Sequence, residues 1–519
     1  IAILKLLDTI LTREVVAEET TFETVFVFCV IWGLGSVLTI ADDGTDYRRI
    51  FSDWFRGRFK TVKIPSRETV FDYWLNIKTC KFESWKSSPA FRTVDFDSYE
   101  MNMADVTVPT AETASVFYWI DALVKRGSNV MLAGPAGTGK TQLVTGMLSE
   151  LNPDQHMITT VNMNFYTSSA VLLTSLEAPL QKRTGSTFGP PGGAKLVYFV
   201  DDLNLPEVDA YGTQSSIALI RQHIDYGHWY DVQKLALKTV DDCQYITAMN
   251  PTAGSFSVNP RLQRHFITFA IGMPSATSLL TIYQTFLDGH LSGGFPQAVG
   301  NVSSNLIKGA LAVHKEVSET FRKTAANFHY EFNIRHLANV FQGLLVATPQ
   351  VFNDPEKFVY LWLHESERVY GDRLVDEEDL TKFKQIIQNQ ARKTFVQYNV
   401  ARFYLAGGGV QADPLVFCHF ADGTTQGDEL TYDRSTDLSV LRKTLETALD
   451  EYNETNAVMN LVLFDDAVLH VARIVRIIKQ TGGHALLVGV GGSGKQSLSR
   501  LAAHICLYTV VQITVNQHY

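Results

Sequence analysis

The sequence predicts an α/β protein of phosphate-loop modules, each a doubly wound parallel sheet followed by a helical lid domain. Three observations lead there. The stretches MLAGPAGTGKTQLV (131–144) and LLVGVGGSGKQSLSRL (486–501) each set a glycine-rich loop between an apolar run and a helix-forming run, the order a phosphate cradle requires. Between the loops, apolar runs of strand length alternate with helical ones, which argues for a parallel sheet covered on both faces. From about 276 to 435 the pattern turns mainly helical, as a lid would. With 519 residues the chain has room for roughly three domains of about 150 residues each.

Residues 1–95 hold no phosphate loop and are rich in helical and aromatic patterning, down to the loop-like SWKSSPAFRTVDFD (84–97). They read as the end of a preceding module. Their most hydrophobic stretch, VFVFCVIWGLGSVLTI (25–40), is short for a membrane span and carries Gly33, Gly35 and Ser36, so a buried helix is expected. The run YRRIFSDWFRGRFKTVK (47–63) mixes arginines with aromatics, a composition that suits stacking on single-stranded nucleic acid. An exposed basic face with its aromatics in the core is the plainer expectation.

The strand candidates follow in order: NVMLA (129–133), MITTVNMNF (157–165), KLVYFVD (195–201), CQYITAMN (243–250) and HFITFAIG (265–272), with SSIALIRQHI (215–224) a helix among them. Amphipathic stretches around 303–325, 333–346 and 376–402 supply the lid helices. A last strand candidate, HALLVG (484–489), leads into the second loop, and an apparent strand runs toward Tyr519. The chain starts at Ile1 without a leader-like segment and reads as an internal piece of a longer polypeptide.

A formal charge of −9 argues against non-specific nucleic-acid binding as the main role; protein partners are expected, with no nucleic acid and no membrane. The five cysteines (Cys29, Cys80, Cys243, Cys418, Cys506) lack CxxC spacing and sit mostly in apolar stretches, the pattern of reduced, buried thiols in a cytosolic protein.

In GPAGTGKT, the residues Gly134, Pro135, Ala136, Gly137, Thr138, Gly139, Lys140 and Thr141 form a loop whose glycines let backbone amides face phosphate oxygens. Lys140 offers charge to the β and γ phosphates, and Thr141 a hydroxyl ligand for Mg²⁺. LVYFVDDLNLP (196–206) is an apolar strand ending in two carboxylates, at the sheet edge where ligands collect. Asp201 is placed to hold the metal and Asp202 to polarise the attacking water. Many such ATPases have Glu at the second position; the shorter Asp predicts tight ATP binding and slow hydrolysis, since positioning errors of about 1 Å cost on the order of a hundredfold. Asn250, ending TAMN, either contacts the γ phosphate or water or simply forms a turn before Pro251. Arg261 and Arg264, in NPRLQRHF (259–266), are surface charges or, in a ring of modules, arginines that reach a neighbour's γ phosphate.

The second loop, Gly489, Val490, Gly491, Gly492, Ser493, Gly494, Lys495, Gln496 and Ser497, departs from the usual pattern at Gln496, where a hydroxyl is standard. Its amide oxygen is on a longer arm, and Ser497 is turned by about 100° on a helix. Nucleotide binding with altered metal coordination is expected.

GPAGTGKT, FVDD, TAMNP, NPRLQRHF and FNIRHL (332–337) in this order resemble an AAA+ P-loop NTPase module, and the finer wording is similar to dynein heavy chain. RTGSTFGPPGGAKLVYFVDD (183–202), VDDLNLPEVDAYGTQSSIALIRQHIDYGHWYD (200–231), WLHESERVYGDRL (362–374) and NLVLFDDAVLHVARI (460–474) carry that likeness. The Lys-Gln of the second loop resembles the fourth module of axonemal dyneins, and residues 414–475 resemble the outer-arm class. The resemblance implies a division into 1–95 (tail of the second module), 96–275 (large α/β domain of the third), 276–435 (its lid and connection) and 436–519 (start of the fourth). It implies a part of a motor ring for ciliary or flagellar beating, located in the cytoplasm and cytoskeleton of the axoneme, with ATP/ADP and Mg²⁺ as cofactors. The third module would regulate the main ATPase. Implied partners are the other modules, linker and stalk of the same chain, microtubules through regions outside this sequence, and dynein intermediate and light chains. Val108 and Pro109 match the loop that covers the adenine, Arg335 matches the second sensor arginine, and Arg261 is the first choice for the residue that reaches the preceding module's nucleotide, with Arg264 behind it. Competing readings are a nucleotide held as a fixed structural wedge and a remodelling AAA+ ATPase.

Overall fold

Five strands form an open, all-parallel sheet: β1 (Val130–Ala133), β2 (His156–Asn162), β3 (Lys195–Asp201), β4 (Cys243–Met249) and β5 (Ile267–Ala270), in the spatial order β5-β1-β4-β3-β2. The computed structural model describes residues 1–41, 43–252, 258–404, 412–421, 423 and 430–513. The chain divides into two units, residues 1–95 with 101–282 and residues 96–100 with 283–519.

The sheet's sequence logic is that of a core buried on both faces. In β3 the run Leu196–Val200 is almost wholly buried, and successive side chains leave on opposite sides. Val197 and Phe199 join Val130, Leu132, Ile246 and Phe269 in one core, while Leu196, Tyr198 and Val200 join Met131 and Tyr245 in another. The edge strand β2 is more polar and only partly buried, as an edge position tolerates. MITTVNMNF is therefore a strand only in its first part; it stops at Asn162 because the pairing with β3 stops at Asp201.

The first face is covered by helix α1 (Glu19–Gly35) and helix α2 (Ala111–Lys125). Helix α1 buries Val25, Val27, Phe28, Cys29, Val30, Ile31 and Trp32, so the apolar stretch at 25–40 is a largely buried helix as far as Gly35, and Val37 and Ile40 beyond it are exposed. No helix among the described residues is long and apolar enough to cross a membrane. Phe28 stacks on Trp119, with ring centroids 5.1 Å apart, and Ser36 Oγ donates to Thr268 O at 2.7 Å, so residues 1–95 are stitched to the sheet by aromatic packing and by hydrogen bonds. The basic-aromatic run divides more than expected. Phe55 is buried, but Trp54 and Tyr47 are 50% and 48% exposed, because a helix over Tyr47–Arg58 turns only one stripe to the core.

Helix α3 (Lys140–Ser149) follows the first phosphate loop and helix α4 (Ser215–Tyr226) covers the second face. In the second unit the lid stretches form helices over Ser303–Thr320, α5 (Ile334–Leu344) and Glu377–Thr394, each shorter than its amphipathic pattern. Helix α6 (Pro355–Tyr370) runs among them with eleven buried residues. Its buried set includes the polar residues His364, Glu365 and Ser366. Two more helices, α7 (Asp465–Lys479) and α8 (Lys495–Ile505), pack through Val468, Val471, Val475, Leu498 and Leu501.

HALLVG is not a strand. Residues 484–490 take no regular structure, and Leu486 and Val488 are 90% and 88% exposed. A strand needs a neighbour for its N–H and C=O groups, and no described residue pairs with this segment. The apparent strand toward Tyr519 shows no strand structure through Ile513 and then enters 514–519, outside the described residues. Cys29, Cys418 and Cys506 are buried thiols, while Cys80 and Cys243 are half-buried.

Candidate functional site

The loop between β1 and α3 closes back on itself. Gly137 and Gly139 take φ of 79° and 81°, the left-handed region that a side chain disfavours. At Gly134 a Cβ would meet Ile271 O at 2.1 Å, so only glycine lets the loop leave the strand here. Thr138 Oγ1 donates to Pro135 O at 3.0 Å, and Lys140 Nζ donates to Gly134 O at 2.9 Å and Pro135 O at 2.7 Å. Lys140 is only 8% exposed. A buried ammonium held by main-chain carbonyls, at the start of a helix whose first amides are unpaired within it, is a positive pocket suited to phosphate. Ala136 lies on the same loop, between Pro135 and the turn glycine Gly137.

The acidic strand end joins this loop. Thr141 Oγ1 donates to Asp201 Oδ2 at 2.6 Å, and Asp202 N–H donates to Asp201 Oδ1 at 3.0 Å. A hydroxyl and a carboxylate oxygen in contact at the mouth of a phosphate loop are hard oxygen donors of the kind Mg²⁺ takes. Asp202 has φ of 55°, a strained choice for a non-glycine residue, which lifts it out of the strand direction at the carboxyl edge of the sheet. The strand β4, between β1 and β3, brings Asn250 to the same edge, where Gly134 N–H donates to Met249 O at 3.1 Å. The Asn250 carboxamide oxygen accepts from Thr252 N–H at 3.1 Å and Thr252 Oγ1 at 2.8 Å, the turn geometry that its place before Pro251 anticipates.

Val108 is buried, and Pro109 lines a cavity of about 220 Å³ with Thr107, Phe117, Leu143 and Met147 along α3. Thr110 caps α2 by accepting from Thr113 N–H. Arg261 is exposed on the short helix Pro260–Gln263, and its side chain has no ion-pair partner among the described residues. Arg264 is tied to Asp225 at 3.1 Å, as is His265 at 2.8 Å. Burial pushes the Asp225 carboxyl up, but Arg264, His265 and Arg221 outweigh it and hold the group below its ordinary range. Arg335 is exposed in the first turn of α5, in the second unit.

At the second loop Lys495 Nζ donates to Gly489 O at 2.6 Å, Val490 O at 2.7 Å and Ser493 Oγ at 3.2 Å, the same curl as at Lys140. Gly492 and Gly494 take φ of 80° and 76°, while Gly491 adopts no such angle. Gln496 is exposed on the first turn of α8 and Ser497 is half-buried. No acidic residue stands to this loop as Asp201 stands to Thr141 among the described residues.

Sequence reasoning passed over two buried polar residues at the first site. Asn204, 1% exposed, donates from Nδ2 to Asn250 O at 2.9 Å, and Gln214, 7% exposed, donates from Nε2 to Pro206 O at 2.7 Å and Asn204 O at 3.3 Å. Both stand within the DDLNLP…TQSS stretch, but their type gives no hint of burial.

Residues 97–274 match the family model described as "P-loop containing dynein motor region", 306–401 "AAA+ lid domain", 459–519 "P-loop containing dynein motor region D4" and 2–87 "Dynein heavy chain AAA lid domain". The chain is 49% identical over 504 residues to the dynein alpha chain of the flagellar outer arm from Chlamydomonas reinhardtii, covering 97% of this chain and 11% of that relative. It is 46% identical over 521 residues to human dynein axonemal heavy chain 17, covering 100% and 11%. Against the ciliary dynein beta chain of Tripneustes gratilla it is 46% identical over 519 residues, covering 99% and 11%. The chain thus spans about a tenth of the length of these curated relatives. On the parallel P-loop sheet, the lid helices and identities that run from end to end, the chain belongs to the axonemal dynein heavy chain family.

Proposed function

We propose that residues 96–435 form an AAA+ module, third in a dynein motor ring, that binds ATP with Mg²⁺ and hydrolyses it slowly to regulate the ring's main ATPase. Residues 1–95 are then the tail of the second module and 436–519 the start of the fourth. The observation that carries this reading is the Thr141–Asp201 contact at 2.6 Å beside the buried Lys140, which gathers the phosphate and metal donors at one sheet edge. In the reaction, the loop amides and Lys140 hold the phosphates, and Thr141 and Asp201 would hold Mg²⁺, which when bound would supply charge neutralisation at the phosphates. Asp202 orients and polarises the attacking water, and Asn250 contacts that water or the γ phosphate. Arg335 senses the nucleotide from the lid, Val108 and Pro109 cover its adenine, and Arg261, not engaged as Arg264 is by Asp225, reaches the preceding module's nucleotide.

The relatives named as flagellar outer-arm and ciliary dyneins support a working place in the ciliary or flagellar axoneme, of the outer-arm kind. The partners are the other modules, linker and stalk of the same heavy chain, microtubules through regions beyond this sequence, and intermediate and light chains of the complex. The second loop binds nucleotide with metal coordination altered by Gln496.

A second reading, in which bound nucleotide is a fixed wedge without turnover, draws on the short Asp202 and on the Asn250 carboxamide already engaged by Thr252. Single-turnover hydrolysis by the intact heavy chain, with the first module silenced and Lys140→Ala as control, separates the two. Slow cleavage abolished by Lys140→Ala supports the regulatory ATPase; binding without cleavage supports the wedge.

A further inference from the structure

The ladder between β3 and β4 closes at the pair Thr247 and Val200, before either strand reaches Asp202 or Asn250. Beyond it the left-handed turn at Asp202, with φ of 55°, takes the chain away from its partner strand. Two bonds still cross the gap: Leu203 N–H to Ala248 O at 3.1 Å, and the Asn204 carboxamide to Asn250 O at 2.9 Å. The second is made by a side chain that is 1% exposed. Gln214, just before α4, grips the same turn from outside through the carbonyls of Asn204 and Pro206.

We infer that Asn204 is a positioning residue for hydrolysis, setting the distance between Asp202 and Asn250 by fixing the Asn250 main chain against the Asp202 turn. This rests on the hydrolytic reading of the site and deepens it. A strained backbone persists only where its surroundings over-determine it, and the two buried carboxamides do that here. Asn204 Oδ1 has no hydrogen-bond partner among the described residues, a cost in a buried place, so stability alone does not account for an asparagine at this position. With its main chain fixed, Asn250 needs only side-chain rotation to leave Thr252 and face the γ phosphate. Asn204 touches no reacting atom; it acts through Asn250.

The test uses the intact heavy chain with its main ATPase silenced. Asn204→Asp keeps the shape and removes the donated N–H; Gln214→Met, a milder change, serves if the first variant fails to bind nucleotide. Binding is read with a fluorescent ATP analogue and cleavage by single turnover. Either variant is expected to bind within about threefold of the parent and to cleave about 10- to 100-fold more slowly, the scale of a small positioning error. Asn250→Ala also slows cleavage, and adding Asn204→Asp to it causes no further loss. Cleavage at the parental rate in Asn204→Asp, or losses that multiply in the double variant, would overturn the inference while leaving the hydrolytic reading intact. A parent that binds ATP and never cleaves it defeats both.

Discussion

Thr141 Oγ1 donates to Asp201 Oδ2 at 2.6 Å across 60 residues of sequence. A helix start and a strand end are brought together because β1 and β3 flank β4 in the sheet. On the proposed reading this pair is the metal site. Thr141→Val keeps the branched shape and removes the hydroxyl, so nucleotide affinity is expected to fall about tenfold with Mg²⁺ and hardly at all in EDTA, the size of one good ligand interaction of roughly 1.4 kcal/mol. Fluorescent-nucleotide titrations of the intact chain in both buffers check it; equal losses in both would remove Thr141 from the metal.

Asp202→Glu restores the longer carboxylate. Single-turnover hydrolysis is expected to quicken about tenfold or more, with a small stability loss because a longer side chain gains nothing from the left-handed backbone. A turnover no faster than the parent's would show that side-chain length is not the limit.

Gln496→Thr at the second loop is expected to make nucleotide affinity at Lys495 more Mg²⁺-dependent in the intact chain, since it returns a short hydroxyl to the first helical turn. An unchanged magnesium dependence would end the metal account of Gln496.

Glu365 on α6 and Arg476 on α7 form a buried pair, 0% and 6% exposed, with Arg476 Nε 3.0 Å from Glu365 Oε2 and the Tyr432 hydroxyl donating to Oε1 at 2.7 Å. Arg476→Met strands a buried carboxylate and is expected to cost about 3–5 kcal/mol. The pair Glu365→Leu/Arg476→Met recovers most of it, read by denaturant unfolding of the second unit's signal. Gly343→Ala would put a Cβ 1.8 Å from Glu365 Oε2 and should resemble Arg476→Met more than a surface change.

Burial lowers the imidazoles of His290, His314, His336 and His419 to about 4 each. Their folded pKa lies below the unfolded one, so between about pH 4 and 6.5 the unfolded chain binds more protons. The stability held by the neutral rings is complete above about pH 6.5 and falls toward pH 4, by about 1.4 kcal/mol per pH unit for each ring. His314→Asn, which removes the ring bonded to the Tyr370 hydroxyl at 3.0 Å, should flatten the pH dependence of the denaturation midpoint by one proton's worth. An unaltered slope would count against it.

Much of the site was legible because its chemistry is local. GPAGTGKT and the acids after KLVYFV declare themselves through residue type and spacing, and β3 spans the apolar run Leu196–Val200 with one polar residue at each end. HALLVG failed because strand structure belongs to pairs, and its own residues do not supply the partner. Helix α6 was not read from the sequence, and its polar residues His364, Glu365 and Ser366 are enclosed along with its apolar ones. Asn204, Gln214 and the Glu365–Arg476 pair were illegible for a related reason: polar residues announce exposure by default, and only the folded neighbours reveal which of them are enclosed.

By itself, then, the sequence determined the fold class, the two phosphate loops and the identities of their charged and hydroxyl groups, since these follow from local stereochemistry and hydrophobic patterning. The tertiary structure alone decided which distant groups meet: Thr141 with Asp201, Asn204 with Asn250, Arg264 rather than Arg261 with Asp225. Contacts between residues far apart in the chain depend on strand order and helix packing, and no local pattern encodes those.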